Sequence, residues 1–535
     1  MIKMRLASLF AVVLACSFVA LTDDDHHHMD ANEKLGSVSF PVSCAPESQK
    51  PFERAIAMLH SFEYEQAESG FKQVATQDPQ CAMAYWGQAM TLFHLLWARP
   101  SEADMKHGAE LAQKAQQLKP KTKREREYIK AVAVLYQTGA IEHKKRLGQY
   151  ASAMETLAHD NPNDTEAAAF YAVALLGAAP ENDATHAQAR KAVAILTKIF
   201  DAQPDHPGIA HYIIHSCDNP QMASLGLSAA REYAKIAPAS PHAVHMPSHI
   251  FARLGLWQDS IASNAAALRA ADTMAEMHFH MAHHRMHAMD YQHYAYLQIG
   301  DDQSARAVSA AMAKFNRADI ESDYQDYYDD MVSSMAARYT IERRQWKDAL
   351  ALQPLEKARP QQKVVTYWAH AVAAGHLHDT AAAQDALKHY DELLETIRKS
   401  STSYHADLLK NEHKETQAWA AYAEGKNEEA VRILREVADT QDKVGKGETE
   451  SPAREMLADI LLEMNRPKEA LAEYEVALKT DPNRFNELSG AAQAAEKLDQ
   501  KEKAGQYYGQ LLKNCQGIDS DRPELARAKT LVATK

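Results

Sequence analysis

Residues 452–485 read PAREMLADILLEMNRPKEALAEYEVALKTDPNRF. Small Ala470 is followed by Tyr474 four residues on, by Ala477 seven on and by Pro482 twelve on. Offsets of four and seven place side chains on one helix face. The proline then stops the helix, because it has no N–H to donate and clashes with the preceding turn. Another amphipathic segment lies upstream of the small residue, so the stretch predicts helix, turn, helix.

The same spacing recurs outward along the chain. Ala67, Phe71, Val74 and Pro79 repeat it, as do Gly108, Ala112, Ala115 and Pro120. Ala192, Leu196, Ile199 and Pro204 follow, then Gly226, Ala230, Tyr233 and Pro238. Gly255-Leu256-Trp257, Gly300 and Gly425-Lys426-Asn427 mark further turns. Weaker units end near Leu352 and Leu393, and a last one holds Ala504, Tyr508 and Leu511. Roughly ten to twelve units fit between Pro46 and Gln516. Ile141–Tyr150 and Asn182–Arg190 read as insertions. Ala, Leu, Glu, Lys and Gln are abundant, while Gly and Pro number only 19 and 20 in 535 residues, a balance that favours helix. The net charge of −13, with no basic stripe among aromatics, argues against a nucleic-acid partner.

The pattern resembles the tetratricopeptide repeat, W-x2-L-G-x2-Y, then A-x3-F, then P. The resemblance implies an all-α fold, a right-handed superhelical solenoid of tetratricopeptide-like helix–turn–helix repeats. It would span residues 48–518, with 519–535 as a tail or capping helix. It further implies that each first helix lines an inner groove, of a kind that commonly binds extended peptides or partner proteins. The Lys/Asn ladder that some such grooves use to hold a C-terminal carboxylate has no counterpart here. DPQCAMAYWG (78–87), HAVHMPSHIFARLGLW (242–257) and the opening stretch also resemble a group of secreted bacterial repeat proteins of this type. That likeness implies no particular activity.

Residues 1–22 read as an export signal: Lys3 and Arg5, then an apolar run from Leu6 to Leu21, then Asp23-Asp24-Asp25. The run is short for a membrane span. Val13-Leu14-Ala15-Cys16 resembles a bacterial lipoprotein cleavage box, which leaves two outcomes open. Either Cys16 is lipidated and anchors the protein to a membrane, or cleavage near Ala20 frees a periplasmic or secreted product. Residues 23–47 read as a linker that includes His26-His27-His28. Cys44 and Cys81 flank the first repeat and are candidates to pair in an oxidising compartment. Cys217 and Cys515 stand alone and are expected to be buried small hydrophobes.

The segment His206 to Phe251 contains HxxxH twice, as His211/His215 and His245/His249, offset by 34 residues member for member. Relative to the small residue opening each second helix, His211 and His245 stand fifteen before and His215 and His249 eleven before. His242 and His287 both stand eighteen before, and Asp290 and Tyr294 occupy fifteen and eleven in the next unit. Three consecutive first helices therefore carry one ladder. Residues four apart lie one turn apart on one helix face, so two imidazoles can converge on a metal ion, as in HExxH. The glutamate of that protease signature is absent. Two such helices side by side would supply four nitrogens, with Asp218, Asp290 or His287 to complete or orient the shell. His278, His280, His283, His284 and His293 follow, interleaved with Met277, Met281, Met286 and Met289. A nitrogen-plus-thioether set suits copper, and the imidazoles suit zinc equally. The plainer reading is packing, with duplicated repeats inheriting matching residues. Against it, Ser334 and Arg338 hold the matching places one unit later. Trp86, Met90, His94 and Trp97 are expected in inter-repeat core.

The first expectation is thus an exported scaffold that binds a transition metal, copper or zinc, with an envelope protein or peptide as groove partner. The second is a metal-dependent enzyme, hydrolytic or oxidative, on the same ladder, with Asp218, Asp290, Tyr212 and Tyr294 nearby. The third is a metal-free adaptor. No glycine-rich phosphate loop, GxSxG, CxxC or Cys/His nucleophile pair is present. With the fold well marked and no reaction marked, the scaffold is preferred.

Overall fold

The computed structural model describes residues 34–96, 99–180, 183–277, 280–400 and 405–533. The segment read as an export signal, with Cys16 and His26-His27-His28, lies outside the described residues, as do Trp97 and His278. The described chain is all-α, with no strand among those residues. Its helices pack in sequential antiparallel-style pairs, each against the next, as a solenoid. Gln49–His60 pairs with Tyr64–Gln77, Ala82–Thr91 with Glu102–Gln117, and Lys123–Leu135 with His143–Asp160. Thr165–Ala178 pairs with Ala187–Phe200, and Pro207–Cys217 with Ala223–Ile236. The sixth pair sets Pro241–His245 and Pro247–Arg253 against Trp257–Glu276. Ala282–Gln298 with Asp302–Met312, and Gln325–Glu342 with the short Trp346–Leu350, come next. Pro360–Leu377 with Thr380–Arg398, Lys410–Ala423 with Asn427–Val444, Ala453–Glu463 with Pro467–Thr480, and Phe485–Lys497 with Lys501–Asn514 complete twelve pairs. Pro523–Ala533 packs on the last of them.

Local chemistry explains these bounds. Pro79, Pro120, Pro204, Pro238 and Pro482 each follow closely on a helix that ends at Gln77, Gln117, Phe200, Ile236 or Thr480. Ser101 with Asp104, and Thr122 with Glu125, form capping boxes that satisfy the free N–H groups of the following helix. The small positions of the repeat are contact points. A Cβ at Gly108 would lie 2.0 Å from the Tyr136 ring. Ile141–Tyr150 is no insertion: most of it is the start of His143–Asp160, the second helix of its pair. The sixth first helix is interrupted at Met246-Pro247, because Pro247 cannot donate to the carbonyl four residues back.

One large apolar core runs from Leu35 to Phe251 and a second from Ala337 to Ala504. Between them the seventh and eighth pairs carry smaller, methionine-rich clusters. The solenoid curls enough that the first pair reaches the fifth and sixth: Ser37 N–H donates to the Asp205 carbonyl at 2.9 Å, and Ser240 Oγ to Glu63 Oε1 at 2.6 Å. From the other side, Trp257 Nε1 donates to the Asn483 carbonyl at 2.8 Å and Phe485 N–H to Gln298 Oε1 at 3.0 Å. The middle repeats are therefore held from both ends of the chain. Cys44 and Cys81 are joined as a disulfide, and Cys217 and Cys515 are buried thiols. No helix among the described residues is long and apolar enough to cross a membrane.

The rearward clasp centres on Arg484, whose side chain is fully buried. It pairs with Glu342 at 2.7 Å, Glu455 at 2.9 Å and Glu487 at 3.2 Å, and donates to the Tyr294 hydroxyl. Arg484→Ala strands these carboxyls without a cation, and is expected to destabilise the protein by about 3–5 kcal/mol. Urea denaturation monitored by circular dichroism measures this directly; a loss below about 1 kcal/mol contradicts the assignment.

Candidate metal centre

The ladder assembles as two sets of three imidazoles. In each of His211/His215/His242 and His245/His249/His287, one ring nitrogen per residue lies within 4.8 Å of the other two. Each set combines the HxxxH pair of one repeat with the histidine eighteen before the small residue of the next. The four nitrogens expected from two stacked helices are thus divided, three and three, across neighbouring repeats.

Hydrogen bonding fixes which nitrogen faces inward. His211 Nδ1 stands 2.6 Å from the His60 carbonyl, which can only accept, so Nδ1 carries the hydrogen. That leaves the Nε2 lone pair directed at His242 Nε2, 3.1 Å away. Asn264 donates through Nδ2 to the Ser260 carbonyl, so its Oδ1 accepts from His245 Nδ1 at 2.6 Å. His249 Nδ1 faces Asp218 Oδ2 at 2.8 Å and Glu448 Oε1 at 2.9 Å. His245 Nε2 and His249 Nε2 then oppose each other at 3.1 Å. Two lone pairs at that distance repel unless a proton or a cation lies between them. Nitrogens bound tetrahedrally to one zinc ion at about 2.0–2.1 Å are about 3.3 Å apart, close to this spacing. His215 Nε2 is buried without a hydrogen-bond partner, and His287 Nδ1 meets the Tyr327 hydroxyl at 2.8 Å.

Burial sets the electrostatics. It depresses His211 to about 3 and His287 to about 4, and holds His215, His242 and His245 well below the ordinary imidazole range. These rings are neutral, the form that binds metal. His249 is the exception: burial pulls it down, but the Asp218 and Glu448 carboxylates outweigh that and raise it to about 9. Arg253 Nε in turn binds Asp218 Oδ1 at 3.0 Å. A carboxylate behind an imidazole whose other nitrogen points inward is the outer shell of many metal sites.

The remaining sequence-selected residues are placed as follows. Asp218 backs His249. Asp290 turns from the imidazoles, accepting from Arg338 Nη1 at 2.6 Å and Thr449 Oγ1 at 3.1 Å. Met281, Met286 and Met289 pack in apolar clusters. His280 is exposed beside Glu65, and His94 stacks on Tyr64. His60 joins the interior differently. With His206 it brackets Glu166, at 2.7 and 3.0 Å, and its Nδ1 meets the Tyr212 hydroxyl. Burial favours the neutral acid at Glu166, but the two imidazoles hold it down at about 2. All four ring nitrogens there have partners, since His206 Nδ1 accepts from Ile209 N–H, so this network locks structure. Gly208 makes room for it: a Cβ there would lie 2.4 Å from His60 Nδ1.

Glu448, Asn264, Tyr291, Tyr327 and the His60 carbonyl were not selected from sequence. Asn264 had a signal: it stands four after Ser260, where other repeats carry Phe71, Leu196 or Tyr474. Glu448 had none, because it arrives from a loop 199 residues along the chain from His249.

No protein-family model and no curated protein matches the chain. Among solved structures it is similar to the APC/C hetero-tetramer Cut9–Hcn1, at 12% identity and TM-score 0.34, over 84% of this chain and 76% of that one. It is similar to the human IFIT1 dimer with m7Gppp-AAAA at 12% identity and TM-score 0.36, over 85% and 94%. It is similar to the P58(IPK) TPR domain at 13% identity and TM-score 0.20, over 91% and 99%. The helix-pair repeat rests on the twelve pairs themselves and not on these loose superpositions.

The depressed imidazoles predict acid lability of the metal-free protein. In the unfolded chain they titrate near 6.5, but His287 and His211 take protons in the fold only near about 4 and about 3. Between those values the unfolded chain binds more protons, so stability falls as pH falls. His249 runs oppositely: its contribution is complete below 6.5 and fades as pH rises through about 9. From pH 6.5 to 5, His211 and His287 should each remove on the order of 2 kcal/mol. Thermal melts in chelator at pH 7 and pH 5 check this, and equal Tm values contradict it.

Proposed function

We propose that this protein is an exported helical scaffold that holds transition-metal ions on its histidine ladder. One observation carries the reading: two buried sets of three imidazoles whose inward nitrogens are selected by partners on the opposite side of the rings. Buried imidazole lone pairs facing one another are unfavourable in a protein that never binds a cation. The all-nitrogen sets suit zinc and copper, and the methionines add nothing to that choice. The Cys44–Cys81 disulfide supports an oxidising compartment, in line with the export signal read at 1–22. A protein or peptide of the cell envelope is the expected occupant of the remaining groove.

Three protein ligands per ion leave one coordination position open, an arrangement common in reactive metal sites. This favours a hydrolytic or oxidative enzyme as the second reading. Incubation of the metal-loaded protein with ester, peptide and phenol substrates separates the two; turnover abolished by His245→Ala assigns the enzyme.

For the scaffold itself, elemental analysis of mature, untagged protein after zinc or copper loading and dialysis should give up to two equivalents per chain. His242→Ala and His287→Ala should each remove one, and His211→Ala/His245→Ala should remove both. Asp218→Asn should weaken the second position by about 10–100-fold while the fold persists. Equal metal content in all four preparations, or none in the parent protein, refutes the ladder as a metal site.

A further inference from the structure

Beside the ladder lies a cavity of about 780 Å³, bounded by the eighth to eleventh pairs and by residues 445–451. Its wall includes Tyr327, the partner of His287, but none of the six ladder histidines.

The charges lining it do not balance locally. Arg338 is paired with Asp290 at 2.6 Å, Lys446 with Asp481 at 2.7 Å and Arg359 with Asp326 at 2.8 Å. The fourth basic lining residue, His405, is depressed by burial and so is neutral near pH 7. Asp330, Glu412, Glu415 and Glu450 also line the cavity, and the ion pairs of the described residues give none of them a cation. Glu412 accepts from the Tyr390 hydroxyl at 2.9 Å. Glu415 accepts from Trp368 Nε1 at 2.9 Å and Gln441 Nε2 at 3.1 Å. These neutral donors satisfy oxygens without cancelling charge. Burial accordingly pushes Asp330 up to about 7 and Glu412 up to about 8.

A second observation is independent of the acids. Gln362, only 6% exposed, lines the same cavity, and its Oε1 is a buried acceptor with no hydrogen-bond partner. A buried unpaired acceptor is costly unless a donor from outside completes it. The missing component is therefore a positively charged hydrogen-bond donor. An inorganic divalent ion fits poorly, because among the described residues no three of these oxygens lie within 4.8 Å of one another. An alkyl chain fits well: Val364, Val365, Leu408, Leu409 and the Trp368 ring supply an apolar wall, and a tryptophan face attracts ammonium groups.

We propose that this cavity binds alkylammonium groups, carried by a free polyamine or by lysine side chains of an extended peptide. The inference does not rest on the metal reading. Its test uses untagged full-length protein in chelator, so a metal-free ladder leaves the result interpretable. Calorimetric titrations compare spermidine, a blocked trilysine peptide, the matching triglutamine peptide and calcium chloride. Spermidine or the lysine peptide should bind, the glutamine peptide should not, and whichever of the two binds more tightly identifies the source. Glu412→Gln/Glu415→Gln should weaken that binding at least tenfold. Asp330→Asn, at a half-buried carboxyl that anchors no hydrogen bond, should weaken it about fivefold with an unchanged melting curve, so the test survives if the double variant unfolds. Binding of neither amine, equal binding by folded variants, or calcium displacing the amine one for one overturns the proposal.

Discussion

The contact on which the rest of this structure depends is the hydrogen bond from His211 Nδ1–H to the carbonyl of His60, at 2.6 Å. It joins the end of the first helix to the fifth pair and so closes the curl of the solenoid. It also chooses the tautomer of His211, and with it the direction of the Nε2 lone pair. His60 can serve as anchor because it is itself immobilised by Glu166 and Tyr212, with His206 on the far carboxylate oxygen. Gly208 permits the approach, since any larger residue would meet the imidazole. A charged network that looks catalytic in isolation is thus the foundation under the ladder. Fully satisfied buried polar groups of this kind rigidify a core, whereas partly satisfied ones are costly.

The ladder makes sense as an edit of the repeat. A helix-pair solenoid presents equivalent positions at each step, so a residue placed on one first helix has counterparts on its neighbours. Histidine at those counterparts gives two sites of the same construction, one repeat apart. The edit interrupts the apolar core: the large N-terminal cluster ends at Phe251, and the next begins only at Ala337. The intervening repeats lose hydrophobic burial and replace it with cross-chain polar clasps, Arg484 among them. The chain therefore holds this region from both ends, which a solenoid of independent repeats has no need to do.

Much of this could be read from sequence, and the boundary of what could is physical. The offsets of four, seven and twelve marked helix faces and stops because they reflect covalent geometry within one helix. The eighteen, fifteen and eleven positions marked the six histidines for the same reason, once repeats were aligned on Ser260 and Ala305. Asp218 was legible by proximity in the chain. Asp290 was selected by position, but Arg338 one repeat on claims its carboxylate, a competition that register alone does not reveal. Glu448 and the His60 carbonyl depend on how far the superhelix turns, which is a sum of small inter-repeat rotations written in no single motif. Pro247 shows the converse. It breaks the helix between His245 and His249, yet their nitrogens still meet at 3.1 Å because Asn264 and Asp218 fix the two rings separately.

The loop after Asn427–Val444 links the ladder to the neighbouring cavity. Gly445, at φ +92°, ends that helix by adopting a conformation L-residues avoid, and releases the chain toward the middle repeats. Three consecutive residues then divide their attention. Glu448 reaches His249, Thr449 reaches Asp290 and Arg338, and Glu450 lines the cavity. Lys446 anchors the turn on Asp481 while its carbonyl accepts from Arg253. A cation at His249 displaces the proton that Asp218 and Glu448 stabilise, and so changes what Glu448 sees. A cation in the cavity changes what Glu450 sees, two residues away on the same backbone. Free-energy coupling between two such sites is necessarily reciprocal. This loop is the segment through which it would act, because it alone among the described residues contributes a carboxylate to both.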